Sequence, residues 1–193
     1  MSVAYSEMIE LGTHAPPFEL PAANPSVDGK AMRSLDDFAD AKALVVVFTC
    51  NHCPYARHVE EVLIKMACEY ESHHVKFVAI SSNDPDQYPD DSFESMSRRA
   101  VERNYPFPYL FDESQDVALA YGAVCTPDVF VFNRERELVY RGRIDSTRPG
   151  SGTASGDELR AAITELLEKG VVTVPQLPSM GCNIKWKPGK RPH

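Results

Sequence analysis

The sequence predicts an α/β fold in which a mixed β-sheet is flanked by helices. Residues 44–48 and 75–81 are short apolar runs typical of strands that are buried on both faces. A helical pattern separates them, and strand, helix and strand at this spacing imply a right-handed parallel crossover. Residues 129–132 and 138–141 flank a charged turn and indicate an antiparallel hairpin, which makes the sheet mixed.

Length and composition limit the class of protein. The 193 residues suffice for one domain with a sizeable core, and 20 basic against 28 acidic residues give a formal net charge of −8. An acidic chain is a poor match for nucleic acid. The chain shows neither a signal peptide nor the run of about 20 apolar residues that a membrane helix needs. We therefore expect a cytoplasmic protein without nucleic-acid or membrane partners, whose five cysteines do not form a disulfide framework.

The segment before the first buried strand is extended and then turns. Residues 11–21 are punctuated by prolines, and Phe18 and Leu20 alternate toward one face, as in an edge strand or the approach to one. Residues 28–30 (Asp-Gly-Lys) are a turn signal. Residues 34–38 can cap and start a short helical turn.

A turn with two cysteines joins the first buried strand to a helix. Pro54 suits the first position of a helix, where its missing N–H is not needed, so Cys53 is the predicted N-cap and Cys50 lies in the turn. Apolar residues at helical spacing extend the helix to about residue 71. They are Val59, Leu63, Met66 and Tyr70.

The helix start predicts which of the two sulfurs is the nucleophile. Unsatisfied N–H groups and the helix dipole favour a thiolate there, and such sites lower a cysteine pKa from about 8.5 to roughly 3.5–7.5. Cys53 is therefore the predicted nucleophile, and Cys50 is close enough to attack a mixed disulfide on it. The alternative is a structural zinc half-site or two inert core thiols. Zinc would need a second paired ligand group, and the other three cysteines are scattered.

Beyond the second strand, the chain alternates loops and helices. Residues 83–91 form a polar loop, and residues 92–104 are a predicted helix with Phe93, Met96 and Val101 facing inward. Prolines keep residues 105–111 extended.

Two later helices show capping patterns. Asp112 with Gln115 resembles a capping box for a brief helix that Gly122 ends. Ser155 with Glu158 resembles another, opening a helix that runs to residue 170. We predict one domain over residues 1–170, and a Pro-rich, irregular tail over residues 171–193 that packs on it or extends from it.

This order of elements, with the cysteine turn at the first crossover helix, resembles the thioredoxin superfamily over roughly residues 10–170. Residues 11–20 are similar to the N-terminal segment of the branch that holds the alkyl hydroperoxide reductase/thiol-specific antioxidant (AhpC/TSA) proteins and the cytochrome-maturation thiol reductases. Thr126-Pro127 matches the position of the superfamily's cis-proline. Five motifs together resemble a peroxiredoxin-like subgroup: residues 50–55 (CNHCPY), 82–84 (SND), 105–109 (YPFPY), 125–128 (CTPD) and 181–186 (GCNIKW).

The resemblance allows two registers. Counting from Phe48 without gaps places the family nucleophile on Cys53 and its second cysteine on Ala56, whereas aligning the two cysteine pairs makes Cys50 the nucleophile. The helix start favours Cys53. Cys125 and Thr126 stand where peroxiredoxins usually place an arginine, which weakens a peroxidase interpretation.

Other residues have two interpretations each. Cys125 approaches the cysteine turn or is a small buried strand residue, and Cys182 folds back as a resolving thiol or belongs to the irregular tail. His52 promotes thiolate character as an imidazolium or faces solvent. Cys68 is predicted to lie in the core. No strand or helix shows an evident buried carboxylate, so the proton acceptor stays unassigned.

The sequence thus predicts a thiol:disulfide oxidoreductase. Cys53 attacks a substrate disulfide, Cys50 resolves the mixed disulfide, and Thr126 and Pro127 hold the substrate chain by β-pairing. His52, Cys125 and Cys182 are candidate modulators. The expected partners are a disulfide-containing protein or a small-molecule disulfide, and a cellular thiol reductant, with no cofactor and no metal.

Two alternatives stay open. In a thiol peroxidase, Cys53 would react with a hydroperoxide, and Cys50, Cys125 or Cys182 would resolve the sulfenic acid. In a metal-binding module, Cys50, Cys53, His52 or Cys125 would bind Cu(I) or Zn.

Overall fold

A five-stranded mixed sheet forms the centre of the computed structural model, which describes residues 3–190. Its strand order is β6-β5-β4-β8-β9, with β4 and β6 parallel to β5, and β8 antiparallel to both β4 and β9. The mixed α/β sheet is therefore confirmed. The strands of this sheet are β4 (Ala43–Phe48), β5 (Val75–Ser81), β6 (Tyr109–Phe111), β8 (Asp128–Phe132) and β9 (Leu138–Gly142).

The smaller strands and the helices surround this sheet. None of the helices in the described part of the chain is both long and apolar enough to cross a membrane. The helices are α1 (Pro54–Tyr70), α2 (Phe93–Glu102), α3 (Asp116–Tyr121) and α4 (Asp157–Lys169). The remaining strands are β1 (Val3–Tyr5), β2 (Glu19–Pro21), β3 (Met32–Ser34), β7 (Cys125–Thr126) and β10 (Met180–Asn183).

The central strand is buried on both faces, as its continuous apolar run predicts. All six residues of β4 are buried. Val45 and Val47 pack with α1 and α4 on one face, while Val46 and Phe48 pack with α3 and the N-terminal segment on the other. Because successive strand side chains alternate in direction, β4 anchors two apolar layers and fixes the position of the turn that follows it.

Helix α1 begins at Pro54 with Cys53 as its N-cap, as predicted. The prediction that Cys68 lies in the core is wrong, because its side chain is exposed. The buried stripe of α1 runs through Leu63 and Met66. A helix turns about 100° per residue, so Cys68 lies outside this stripe.

Helix α2 buries less of its surface than predicted. Met96 is buried, but Phe93 is 40% exposed and Val101 is 66% exposed, so the prediction is wrong for these two residues. The buried stripe is formed by Met96 and Ala100, one turn apart. Val101 follows Ala100 and therefore points toward solvent.

Both predicted capping boxes are replaced by other contacts. Gln115 donates hydrogen bonds to the backbone carbonyls of Ser82 and Lys185, while the Asp112 carboxylate accepts from the N–H of Ala118 at 2.9 Å. At α4, Glu158 forms an ion pair with Arg143 and does not reach back to the N-cap. Tertiary contacts therefore engage both predicted capping side chains: Gln115 binds the segment after β5 and the tail, and Glu158 binds Arg143, which follows β9.

The C-terminal tail, expected to be irregular, contains one strand within residues 171–190, while residues 191–193 of the predicted tail lie outside the described residues. Strand β10 lies between β1 and β7 in a separate three-stranded sheet. The backbone N–H of Lys185 donates to the side-chain carbonyl of Asn83 at 2.8 Å, which fastens the chain just after the strand. The tail therefore packs on the domain here, and a domain boundary near residue 170 stays a prediction.

Candidate active site

Three cysteine sulfurs meet at the N-terminus of α1. Cys50 and Cys53 come from the turn after β4, and Cys182 comes from β10 in the tail. The three pack with Ala56 in one buried cluster, in which Cys53 has no exposed surface. Strand β10 thus brings the tail cysteine to the predicted redox pair.

The surroundings of Cys53 favour its thiolate. The hydrogen bond with the Cys50 thiol is the largest influence and, with donors on Thr126, Cys182 and the backbone of Ala56, lowers the pKa of Cys53 to about 4. Burial opposes this shift. The Thr126 carbonyl oxygen, 3.2 Å from the sulfur, accepts a hydrogen bond only from the protonated thiol and also opposes ionisation. The thiol and N–H donors outweigh both effects.

The two neighbouring thiols are held protonated. The hydrogen bond with Cys53, followed by burial and the charge of Asp91, raises the pKa of Cys50 well above its ordinary value. Burial and the contact with Cys53 raise the pKa of Cys182 to about 12. Of the three thiols, Cys53 is therefore the one that ionises most readily.

Thr126 contacts both members of the cysteine pair. The bond between Thr126 and Pro127 is cis, as the resemblance implies. The Thr126 hydroxyl lies 3.4 Å from the Cys50 sulfur. Thr126 also pairs with Cys182 in an antiparallel register, so the position predicted to hold a substrate strand is occupied here by the chain's own tail.

A buried carboxylate lies next to Cys50. Asp91 has no exposed surface and is hydrogen-bonded to Nδ1 of His52, which lies 3.9 Å from the Cys50 sulfur. The His52 ring stacks on Tyr88 with centroids 4.9 Å apart, and its side chain is only 12% exposed. Asp91 is therefore a candidate for the proton acceptor that stayed unassigned. The expectation that no strand or helix carries a buried carboxylate is wrong for Glu60 on α1 and Asp128 on β8. The burial of Asp91 could not be predicted, because the residue lies in a polar loop, where no periodic pattern of apolar residues indicates which side chains are buried.

Two further buried carboxylates are used in structural ion pairs. Glu60 on α1 accepts two hydrogen bonds from Arg99, at 2.7 and 2.8 Å. Asp128 pairs with Arg141, and neither side chain is exposed. Arg141 is therefore engaged in the core and does not supply hydrogen bonds to a peroxide at the thiols.

Cys125 does not join the sulfur cluster. Its thiol lies 3.7 Å from the carbonyl of Pro127 and 4.0 Å from that of Ser179. Of the two interpretations given for Cys125, the structure therefore supports the small buried strand residue.

Within residues 3–190, one group of side chains could hold a metal ion. Cys50, His52 and Asp91 each offer a ligand atom, and these atoms lie within 4.8 Å of one another. Asp91 already accepts hydrogen bonds from the backbone N–H of Asn51 at 2.7 Å and from the amide of Asn83 at 2.8 Å. The carboxylate is thus satisfied by protein donors.

Comparison with known proteins assigns the chain to a family. The AhpC/TSA family profile matches residues 11–141, about two thirds of the chain. The chain belongs to the AhpC/TSA family. This family of thioredoxin-like folds comprises thiol-disulfide oxidoreductases and peroxiredoxins. No curated protein matches the chain.

Solved structures similar to this AhpC/TSA chain cover between 83% and 98% of it. An uncharacterized conserved protein from Geobacillus kaustophilus shares 47% identity with a TM-score of 0.92, covering 98% of each chain. A hypothetical protein from Sinorhizobium meliloti shares 44% identity with a TM-score of 0.90, covering 96% of this chain and 99% of the other. The thioredoxin domain of a thiol-disulfide oxidoreductase from Bacteroides vulgatus, at 18% identity and a TM-score of 0.63, covers 83% of this chain and 100% of the other, and shares the fold.

Proposed function

We propose that this protein is a thiol:disulfide oxidoreductase in which Cys53 is the nucleophile and Cys50 the resolving thiol. The observation that carries the proposal is the contact between these two sulfurs at the start of α1, which is the largest influence lowering the pKa of Cys53. A thiolate is the reactive form of cysteine in disulfide exchange.

The reaction has two exchange steps. The Cys53 thiolate attacks one sulfur of a substrate disulfide, forming a mixed disulfide and releasing the first substrate thiolate. Cys50 then loses its proton and attacks the Cys53 sulfur, which releases the second substrate thiolate. The protein dithiol is oxidised to a Cys50–Cys53 disulfide, and the substrate disulfide is reduced to two thiols.

The order of these steps follows from the charges. While Cys53 is a thiolate, its hydrogen bond holds the proton on Cys50 and raises the pKa of that thiol. A mixed disulfide on Cys53 carries no charge, so this effect is then lost and Cys50 becomes more acidic. The Asp91 carboxylate, which is hydrogen-bonded to His52 and lies within 4.8 Å of the Cys50 sulfur, is the proposed acceptor for the Cys50 proton.

The substrate is a protein disulfide or a small-molecule disulfide, and a cellular thiol regenerates the enzyme. A groove of about 450 Å³ beside Pro127 supports this proposal, with Tyr55, His58 and Arg148 among its lining residues. An extended protein substrate would have to displace β10 to pair with Thr126. A cytoplasmic location stays a prediction.

A thiol peroxidase is the second candidate, favoured by the AhpC/TSA match and the low pKa of Cys53. In this reaction, the Cys53 thiolate attacks one oxygen of a hydroperoxide and becomes a sulfenic acid. The O–O bond breaks, and the other oxygen leaves as an alcohol or water once it is protonated. Cys50 then condenses with the Cys53 sulfenic acid, releasing water and forming the disulfide. Fast peroxidases stabilise the departing oxygen with preorganised donors. Arg141 and Arg143 are engaged with Asp128 and Glu158, which favours disulfide exchange.

Activity assays separate the proposed functions. We expect the reduced protein to reduce insulin disulfides and Cys53→Ser to lose this activity. Cys68→Ser, which removes an exposed thiol on the same helix, should keep it. Peptide mapping of the oxidised protein should give Cys50–Cys53 as the main disulfide. Rapid consumption of hydrogen peroxide without insulin reduction would contradict the proposal and support the peroxidase. Copurification of about one Cu or Zn ion per chain, without either activity, would support a metal-binding module.

A further inference from the structure

Strand β10 occupies the place of a substrate strand beside Pro127. Cys182 lies opposite Thr126 in the antiparallel register, and Asn183 lies opposite Cys125. The approach is close, because a Cβ atom on Gly181 would lie 2.0 Å from the Thr126 carbonyl oxygen. Only glycine permits this contact.

This strand places a cysteine against the nucleophile. Cys182 is 3% exposed and packs with Cys53 in the sulfur cluster, where the two side chains are hydrogen-bonded. Cys53 therefore has a thiol neighbour on two sides: Cys50 from its own turn and Cys182 from the tail.

The tail holds Cys182 in place on both sides. Before the strand, the backbone N–H of Ser179 donates to the Ser6 hydroxyl at 2.8 Å. After the strand, the carbonyl of Lys185 accepts from the backbone N–H of Asp84 at 2.8 Å. Cys182 is thus presented by a fixed strand, as the cysteine of a bound substrate would be.

We propose that Cys182 is a third redox-active cysteine, which forms an intramolecular disulfide with Cys53. This proposal rests on the proposed function, because it needs Cys53 as the nucleophile. After Cys53 has formed a mixed disulfide with a substrate that leaves β10 in place, such as a small-molecule disulfide, the Cys182 sulfur attacks the Cys53 sulfur. The bond between Cys53 and the substrate breaks, and the departing substrate thiolate takes the Cys182 proton. Two protein thiols are oxidised, and the substrate disulfide is reduced to two thiols.

The charge on Cys53 controls this step as it controls the attack by Cys50. Burial and the contact with the Cys53 thiolate hold the proton on Cys182 in the resting state. Conversion of Cys53 to a mixed disulfide removes its charge and leaves only burial to oppose ionisation. Cys182 therefore gives Cys53 a second resolving partner.

The test uses a chain without Cys50. In Cys50→Ser/Cys68→Ser, which also lacks the exposed thiol, the reduced protein is treated with dithiobis-nitrobenzoate, and the coloured thiolate is counted. We expect two thiolates per chain, the second released by Cys182, and a peptide that links Cys53 with Cys182. The matched variant with an added Cys182→Ser should release one thiolate and keep the reagent on Cys53. An added Cys182→Ala serves the same purpose if the serine variant does not fold.

The outcomes distinguish the two proposals. The Cys50→Ser/Cys68→Ser chain could instead release one thiolate per chain and keep the mixed disulfide on Cys53. This result would overturn the role of Cys182 and leave Cys53 as the nucleophile. A reagent that does not react with Cys53 at all would overturn both.

Discussion

The buried carboxylate of Asp91 accepts a hydrogen bond from the backbone N–H of Asn51 at 2.7 Å, which ties the loop after β5 to the cysteine turn. The N–H of His52 donates to the same oxygen at 3.2 Å. Asn51 and His52 separate Cys50 from Cys53 in the chain. Asp91 therefore holds the turn in position and places a negative charge near the Cys50 sulfur.

Removal of this charge should make Cys50 more acidic. The charge of Asp91 is among the influences that raise the pKa of Cys50. We expect Cys53→Ser/Asp91→Asn to show a lower Cys50 pKa than Cys53→Ser alone, because asparagine keeps the shape of the side chain without its charge. The measurement is the rate of alkylation of Cys50 against pH. An equal or higher pKa in the double variant would show that Asp91 does not act on the thiol electrostatically.

Gly181→Ala should loosen the tail strand. The new Cβ would lie 2.0 Å from the Thr126 carbonyl oxygen, and overpacking of this kind typically costs about 1–3 kcal/mol. We expect a lower free energy of unfolding, faster amide exchange in β10 and faster alkylation of Cys182. Val171→Ala, at an exposed position in the same tail, is the control and should change none of these. Unchanged exchange in Gly181→Ala would contradict the close pairing of β10 with β7.

The stability of the reduced protein should depend on pH through Cys53. Its pKa is about 4 in the folded protein, against about 8.5 in an unfolded chain. Between these two pKa values the unfolded state binds one more proton than the folded state. The contribution of Cys53 to the free energy of unfolding therefore grows with pH, by at most about 1.4 kcal/mol per pH unit. It is fully present above the unfolded pKa and is lost as pH falls through the folded pKa.

Urea unfolding of the reduced wild type and of Cys53→Ser measures this effect. The difference in unfolding free energy between the two should rise with pH from about 4.5 to 7.5, since Cys50 and Cys182 stay protonated over this range and the remaining groups cancel in the comparison. A constant difference over this range would mean that Cys53 is protonated in the folded protein.

Elements whose signals are local could be predicted from the sequence. The apolar run of β4 predicts burial on both faces, and Pro54 predicts the start of α1, because each signal needs only neighbouring residues. The cis bond before Pro127 followed from resemblance alone.

Residues whose burial depends on distant partners could not be predicted in this way. Asp91 is buried because the cysteine turn supplies its donors, and Glu60 is buried on α1 because Arg99 of α2 pairs with it. Cys182 reaches Cys53 because β10 pairs with Thr126, which lies far away in the chain. Phe93 shows the converse, since its apolar side chain remains 40% exposed on α2.

The identity of the nucleophile is tested most directly by titration of each thiol of the pair. The rate of iodoacetamide labelling is measured against pH for Cys50 in Cys53→Ser and for Cys53 in Cys50→Ser, with Cys68→Ser added to both chains to remove the exposed thiol. Loss of Cys50 removes the largest influence on Cys53, yet the start of α1 remains. We expect Cys53 to titrate at the lower pH of the two. A lower pKa for Cys50 would contradict the account and assign the nucleophile to the first cysteine of the turn.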